Sequence, residues 1–476
     1  MKALRYAVFL ILLLAIVLFV AVPYGMGWWI KGQYKTWVEQ ANQQNPTIEL
    51  SVADYHQGWF HSTAILKANI KDDTLKQQLS NSKNPVKLPF DIDVVVDHGL
   101  FVMTKSPAGG RHWVIAKAVV NGEFKRDQMD ISAVSVLNLA NSIVSQVMVH
   151  QLSLPLEGGT FSMKDALIHS NASLDGTKGV SDVTIPTIMF ELGDADNNMS
   201  LALSNFTIAN DFTKENAIVF GKRSVSADKM IIKNGKQVVQ ASGWLLSSEV
   251  IPQGDTTDIM IHMAMKSYKE GKQTSGPLSV DFSLKQMNTQ ALGDFMKDVE
   301  SSQIQSLQVN HMVFPLLAVL KHGIEGHLTL SYQSPYGPLT AKGHISMPDS
   351  KDKSIFALVT LLKGELDVSF PDKWLQNTLS WVVNQSNVDQ HQPIVGRTPA
   401  TLQAKQAIQQ LLDQKMLIKK DSQLSLKATV KSGNVLINGQ KPDFSALNQP
   451  AATSESTTQQ KPSSPDKVES SVAPSP

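Results

Sequence analysis

The 476-residue chain contains no cysteine. That one absence removes disulfides, thiolate zinc sites, Cys-ligated iron–sulfur clusters and cysteine nucleophiles, although it does not identify a compartment. An excess of charge of either sign is missing as well. The 43 basic residues are interspersed with 42 acidic ones, for a formal net charge of +1, and no Lys/Arg block suited to tracking a phosphate backbone occurs. Nucleic acid is therefore not an expected partner. The compact motifs of catalysis and nucleotide binding are also lacking: there is no HExxH, no GxxxxGKS/T, no GxSxG, and no GxGxxG leading from a strand into a helix. No repeat of fixed length is detectable.

What is present begins at the N-terminus. Residues 6–30 carry no charge, and a helix of that length reaches roughly 37 Å, enough to cross a ~30 Å hydrocarbon core with some tilt. Lys2 and Arg5 precede the run, Tyr6 stands at one end, and Tyr24, Trp28 and Trp29 stand at the other, as in an aromatic belt. Around Phe19, Val20 and Ala21 a bulky residue occupies the place where a cleavage site needs a small one, so an uncleaved signal anchor is expected. The corresponding division is a cytoplasmic stub (1–5), a single-pass anchor (6–30), a body (31–447) and a tail (448–476). Lys31 and Lys35 nearly balance the positive charge before the anchor, but the short stub ahead of a large domain favours the N-terminus inside and the body outside the cytoplasm. The tail is Ser, Thr, Gln, Pro and Ala with almost no bulky apolar residue, the composition of a disordered segment.

The body, about 415 residues, exceeds one ordinary compact core, so two lobes or one elongated architecture is expected. Period-two alternation recurs along it: Ile48, Leu50 and Val52, then Ala64, Leu66, Ala68 and Ile70 after a glycine break, then residues 92–96, 114–120, 199–203, 259–265, 278–284, 328–332 and 424–430. Helical periodicity is confined to residues 32–45, 134–149, 292–299, 374–383 and 402–412. The expected fold is mainly β with inserted helices (α+β), built from elongated antiparallel sheets behind an N-terminal transmembrane helix.

Candidate sites are sparse. Of 12 histidines, His56 and His61 are the close pair, with His98 and His112 further on, and on strands the first two could converge only if Gly58 turns the chain. Acidic neighbours such as Asp91 and Asp93, or Asp194 and Asp196, read as solvated strand faces or turns. The densest cluster is residues 54–62, where Tyr55, Trp59 and Phe60 surround Gly58. A hairpin end plugged by aromatics, with Gly58 in a special backbone conformation, is the preferred reading over a recognition surface. Asp97, His98, Gly99 and Phe101 form a similar strand end, and residues 432–440 place a short strand between two turns.

Tyr55-His56-Gln57-Gly58-Trp59-Phe60, Val96-Asp97-His98-Gly99-Leu100-Phe101, residues 364–370 entering a helix, and residues 433–444 with Asn438-Gly439-Gln440-Lys441 together resemble the YdgA-like family of bacterial envelope proteins. The likeness extends over nearly the whole chain and lies in the combination of short motifs. It implies a Gram-negative origin, an inner-membrane anchor and a periplasmic body, and it brings no catalytic residue, cofactor or metal, because that family is of unknown function. Where family members often carry a basic residue, this chain has Gln57, and the tail is its own. The expectation is a non-enzymatic envelope protein whose β body serves binding or assembly beside the bilayer. A groove for a lipid or other hydrophobic ligand is the more specific form, set against a filled core. The rivals are an envelope-acting hydrolase using His56, His98 or paired acids, and homo-oligomerisation through strand edges.

Overall fold

The computed structural model describes residues 22–44, 47–73, 76–77, 88–99, 101–105, 110–126, 129–156, 158–193, 198–301, 319–320, 322–350, 360–389 and 399–442. Residues 6–21 with Tyr6, the tail, and the pair Asp194 and Asp196 lie outside them.

Alternating apolar residues produce a meander in which each strand pairs antiparallel with its neighbour in sequence. It runs through β1 (Ile48–Gln57), β2 (His61–Ile70), β3 (Phe90–His98), β6 (Ala116–Arg126), β7 (Met129–Asn138), β8 (Ser142–Leu156), β9 (Gly159–Ser173) and β10 (Lys178–Leu192). It continues through β11 (Met199–Glu215), β12 (Ile218–Asn234), β13 (Gln237–Gln253), β14 (Thr256–Met265), β17 (Leu278–Asn288), β18 (Ile324–Ser334), β19 (Gly337–Met347), β20 (Lys363–Pro371), β22 (Gln423–Lys431) and β23 (Asn434–Ile437). The remaining strands are accessory. β4 (Val102–Lys105) and β5 (Arg111–Val114) form a separate hairpin, β15 (Ser267–Glu270) and β16 (Gln273–Ser275) extend from β13, and β21 (Ile418–Lys420) borders β22. Among the described residues the result is one continuous 21-stranded antiparallel sheet, mainly β as expected.

Four long helices accompany it among the described residues: α1 (Val22–Gln44), α2 (Thr289–Ser301), α3 (Asp372–Asp389) and α4 (Ala400–Asp413). The last three match the helical periodicities around residues 292, 374 and 402. The helix expected over residues 134–149 is instead the β7–β8 hairpin, whose chain reverses at residues 139–141. The cause is burial on both sides: Leu137 packs beneath α1 while Val134 and Val136 pack beneath the β4–β5 hairpin. A strand covered on two faces loses its alternation and imitates an apolar helix.

A crease crosses the long central strands. The ladder skips His150 opposite Asp165, Asp165 opposite Pro186, Pro186 opposite Asn205, Asn205 opposite Asp228, Asp228 opposite Gly243 and Gly243 opposite Lys266. Asp165, Asn205 and Gly243 have φ of 53°, 49° and 57°, and the Asn205 amide donates to the Asp228 carboxylate at 2.8 Å. Pro186 has no N–H to give the ladder. One residue on each strand is left unpaired while the register is kept, so the strands bend and the burial pattern changes parity across the crease. Hence Val183 and Ile185 share a face with Ile188 and Phe190.

Candidate functional site

Two features of the sheet concentrate the sequence-predicted residues and the apolar surface: the seat of α1 and a long row of side chains.

Pro23, Gly27, Ile30 and Tyr34 recur at helical spacing and form the buried stripe of α1. Ile30 is fully buried, and with Tyr34 it packs on Ala64, Val94, Val96, Ala118 and Leu137. The helix continues unbroken from residue 22 to 44, so the end of the expected membrane span, residues 22–30, is seated on protein and shows no boundary at residue 30. The belt residues Tyr24, Trp28 and Trp29 lie on the other side of α1. Trp28 is 71% exposed, Tyr24 stacks on Trp59 at 5.0 Å, and Lys117 Nζ lies 5.9 Å from the Trp29 ring centre. Among the described residues, no helix is long and apolar enough to cross a membrane.

The motif residues meet at this seat. His98 is 2% exposed; its Nε2 is 3.1 Å from Ser62 Oγ, and its backbone N–H donates to the Phe60 carbonyl at 2.8 Å. Burial holds its imidazole below the usual histidine range, the Pro23 carbonyl opposes that shift without completing a hydrogen bond to Nδ1, and His61 adds to it. Gly27 is required by close approach, since a Cβ there would stand 2.7 Å from the His98 ring. Gly58 is likewise steric: its φ is not positive, contrary to the expected special conformation, but a Cβ would meet the His61 carbonyl oxygen at 2.2 Å. Gly99 receives the Pro23 ring, and Tyr55 stacks on Tyr34 at 5.7 Å. Burial pushes the Asp97 carboxyl up, against the lowering effects of His61 and of the Asn121 amide, which donates to it at 3.1 Å.

The other candidates disperse. His56 pairs with Asp54 at 2.8 Å, whereas His61 faces Asp97 across β2 and β3. His112 is on β5, and Asp91 and Asp93 are on the exposed side of β3. Asn438, with φ 49°, accepts from the Lys427 N–H at 2.9 Å and donates to the Lys415 and Met416 carbonyls, so it ties the loop after α4 to β22; Gly439 turns the chain beside it. Trp59, Phe60 and Phe101 remain about half exposed, and Met103 and Trp113 pair as exposed residues of the β4–β5 hairpin, which covers the sheet face opposite α1.

The second feature was invisible segment by segment. Directly paired residues of antiparallel strands share a face. Following the pairs gives one row across the sheet: Tyr55, Ala64, Val94, Gly122, Ala133, Val147, Ile168, Val183, Ile208, Val225, Leu246, Met263, Val280, Leu330, Ala341, Val368 and Leu426. No position in it is polar. At about 4.8 Å per strand the row is about 77 Å long. Its first members lie beneath α1, its last member packs with α3 and α4, and α2 covers a cluster around Ile324 and Met347. Among the described residues, the middle lacks such cover. Neither β10 nor β11 contains a buried residue, although both are paired on both sides. One row away on the same face runs a polar lane: Ser135, Ser145, Ser170, Ser181, Asn210, Arg223 and Ser248, with Ser135 and Ser145 hydrogen-bonded at 2.8 Å. Toward α3 the face meets a cleft of about 320 Å³ lined by Tyr268, Tyr332, Tyr336, Trp374 and Trp381.

Residues 1–443 match the model of a family described as a bacterial protein of unknown function, DUF945, and the chain belongs to that family. No curated protein and no solved structure matches it significantly.

Proposed function

We propose that this member of a bacterial family of unknown function is a non-enzymatic lipid-binding protein of the cell envelope that holds acyl chains along the uncovered apolar row. The observation that carries the reading is the unbroken 17-strand row whose central strands bury nothing. A sheet face that apolar, left open, is stabilised by covering it, at roughly 25 cal/mol per Å² removed from water. The adjoining polar lane with Arg223 suits an amphiphile with a polar head better than a plain hydrocarbon.

Location belongs to the same proposal. The charge-free N-terminal run leads into α1, where Trp28 is exposed and Tyr24 meets the half-exposed Trp59 at 5.0 Å, as interfacial aromatics would on a headgroup layer. The resemblance to YdgA-like proteins is consistent with a single-pass inner-membrane anchor, N-terminus inside, and a periplasmic body. Lipid would then enter at the α1 end and lie along the row. His98, one of the histidines on which the hydrolase reading draws, is enclosed by α1 and hydrogen-bonded to Ser62, which favours binding over chemistry at that residue.

Native mass spectrometry of the full chain from envelope membranes in mild detergent, with lipid extraction, tests this. Stoichiometric lipid that is lost in Val183→Glu supports the proposal. A lipid-free protein of defined oligomeric mass would overturn it in favour of assembly through strand edges.

A further inference from the structure

On the opposite face of the sheet, β18 and β19 bring together Glu325, His327 and His344. His327 is directly opposite His344 in the ladder, with ring centres 4.7 Å apart, and Glu325 lies two residues before His327 on the same face. His327 Nε2 is 3.0 Å from a Glu325 carboxylate oxygen, and one donor atom from each of the three residues lies within 4.8 Å of the others. We propose that these three side chains bind one divalent transition-metal ion of the zinc class.

Zinc accepts imidazole nitrogen at about 2.0–2.1 Å and carboxylate oxygen at about 2.0–2.2 Å, so tetrahedral donors stand about 3.3 Å apart. The Glu325–His327 separation already suits that spacing, and small side-chain rotations bring in His344. The ladder fixes the three Cα positions. Two nitrogens and one oxygen select borderline cations over calcium or magnesium. Three protein donors leave a coordination position open. On the far side of His344 the next rung is Glu365, bridged to Lys427 at 2.5 Å, and His327 also borders a cleft of about 370 Å³ that includes His262, Asp281 and Lys285. The site shares no side chain with the apolar row and does not depend on lipid binding.

The test is calorimetric titration of the untagged full-length chain, stripped with chelator and held in mild detergent, with zinc sulfate. One equivalent is expected at pH 7.5, with no matching calcium uptake, and weaker binding at pH 5.5, where protons compete for the imidazoles. His327→Ala and His344→Ala should each lower affinity at least about ten-fold, whereas His262→Ala should leave it unchanged. Glu325→Gln supplies a variant that keeps size and strand propensity and should also weaken binding. Absence of stoichiometric zinc uptake, or uptake that survives loss of both His327 and His344, overturns the proposal.

Discussion

Replacing Ile208 by Ala distinguishes an open apolar face from a filled core by magnitude. The substitution removes three carbons, worth about 0.8 kcal/mol each when fully buried. Ile208 is half-buried in β11, a strand without any buried residue, so about half that value, roughly 1.2 kcal/mol, is at stake, with no cavity term because the face is not enclosed. Leu424 is the control. It is fully buried among Ile408 and Leu417, and its loss to Ala should cost about 2–5 kcal/mol, transfer and cavity together. Since each strand contacts mainly its neighbours, stability is local, and hydrogen exchange of the full chain in mild detergent reads β10–β12 and β20–β22 separately. A loss of about 1 kcal/mol around Ile208 against about 3 kcal/mol around Leu424 is expected. Equal losses of about 3 kcal/mol would refute the open face, because only a filled core makes Ile208 that expensive.

Three further outcomes concern the seat of α1. Gly27→Ala drives a methyl into the His98 ring, so α1 should exchange amide hydrogens faster while β10–β13 stay unchanged. Tyr34→Phe removes a buried hydroxyl that has no hydrogen-bond partner and whose pKa burial pushes up to about 12; it should raise local stability by up to about 1 kcal/mol in the same exchange measurement. His98 is held below its ordinary 6.5, so the unfolded chain takes up the proton first. Its contribution is full above about pH 6.5 and is lost as pH falls through the folded value. Opening of α1 should therefore increase as pH falls below about 6.5, and His98→Gln should flatten that dependence.

The mainly β class and three helices were legible because alternation and helical periodicity are local signals. The longest strands were only partly legible. Around Met199 the alternation is clear as far as Leu203 and stops there because Asn205 reverses parity at the crease; residues 259–265 likewise end just before Lys266. The row itself depends on register between strands, and no single segment encodes that. The aromatic and histidine motifs were recognised as strand ends, but their partner was missed. Pro23, Gly27, Ile30 and Tyr34 sit in or beside an apolar run whose hydrophobicity masks the helical stripe, and the stripe is the signal that could have shown the docking. Glu325, His327 and His344 escaped notice because His327 and His344 are brought together by the turn between β18 and β19, far closer than their separation in sequence suggests.

The most direct test of the lipid-bearing face is photo-crosslinking in living bacteria, with a benzophenone side chain placed at Leu246 on the apolar row or at Val180 on the opposite face. The two positions are 38% and 40% exposed, so reach to solvent is matched. Mass spectrometry of the purified adducts should show lipid attached at position 246 and not at position 180. Adducts at both positions alike, or at neither, would contradict a lipid-bearing face.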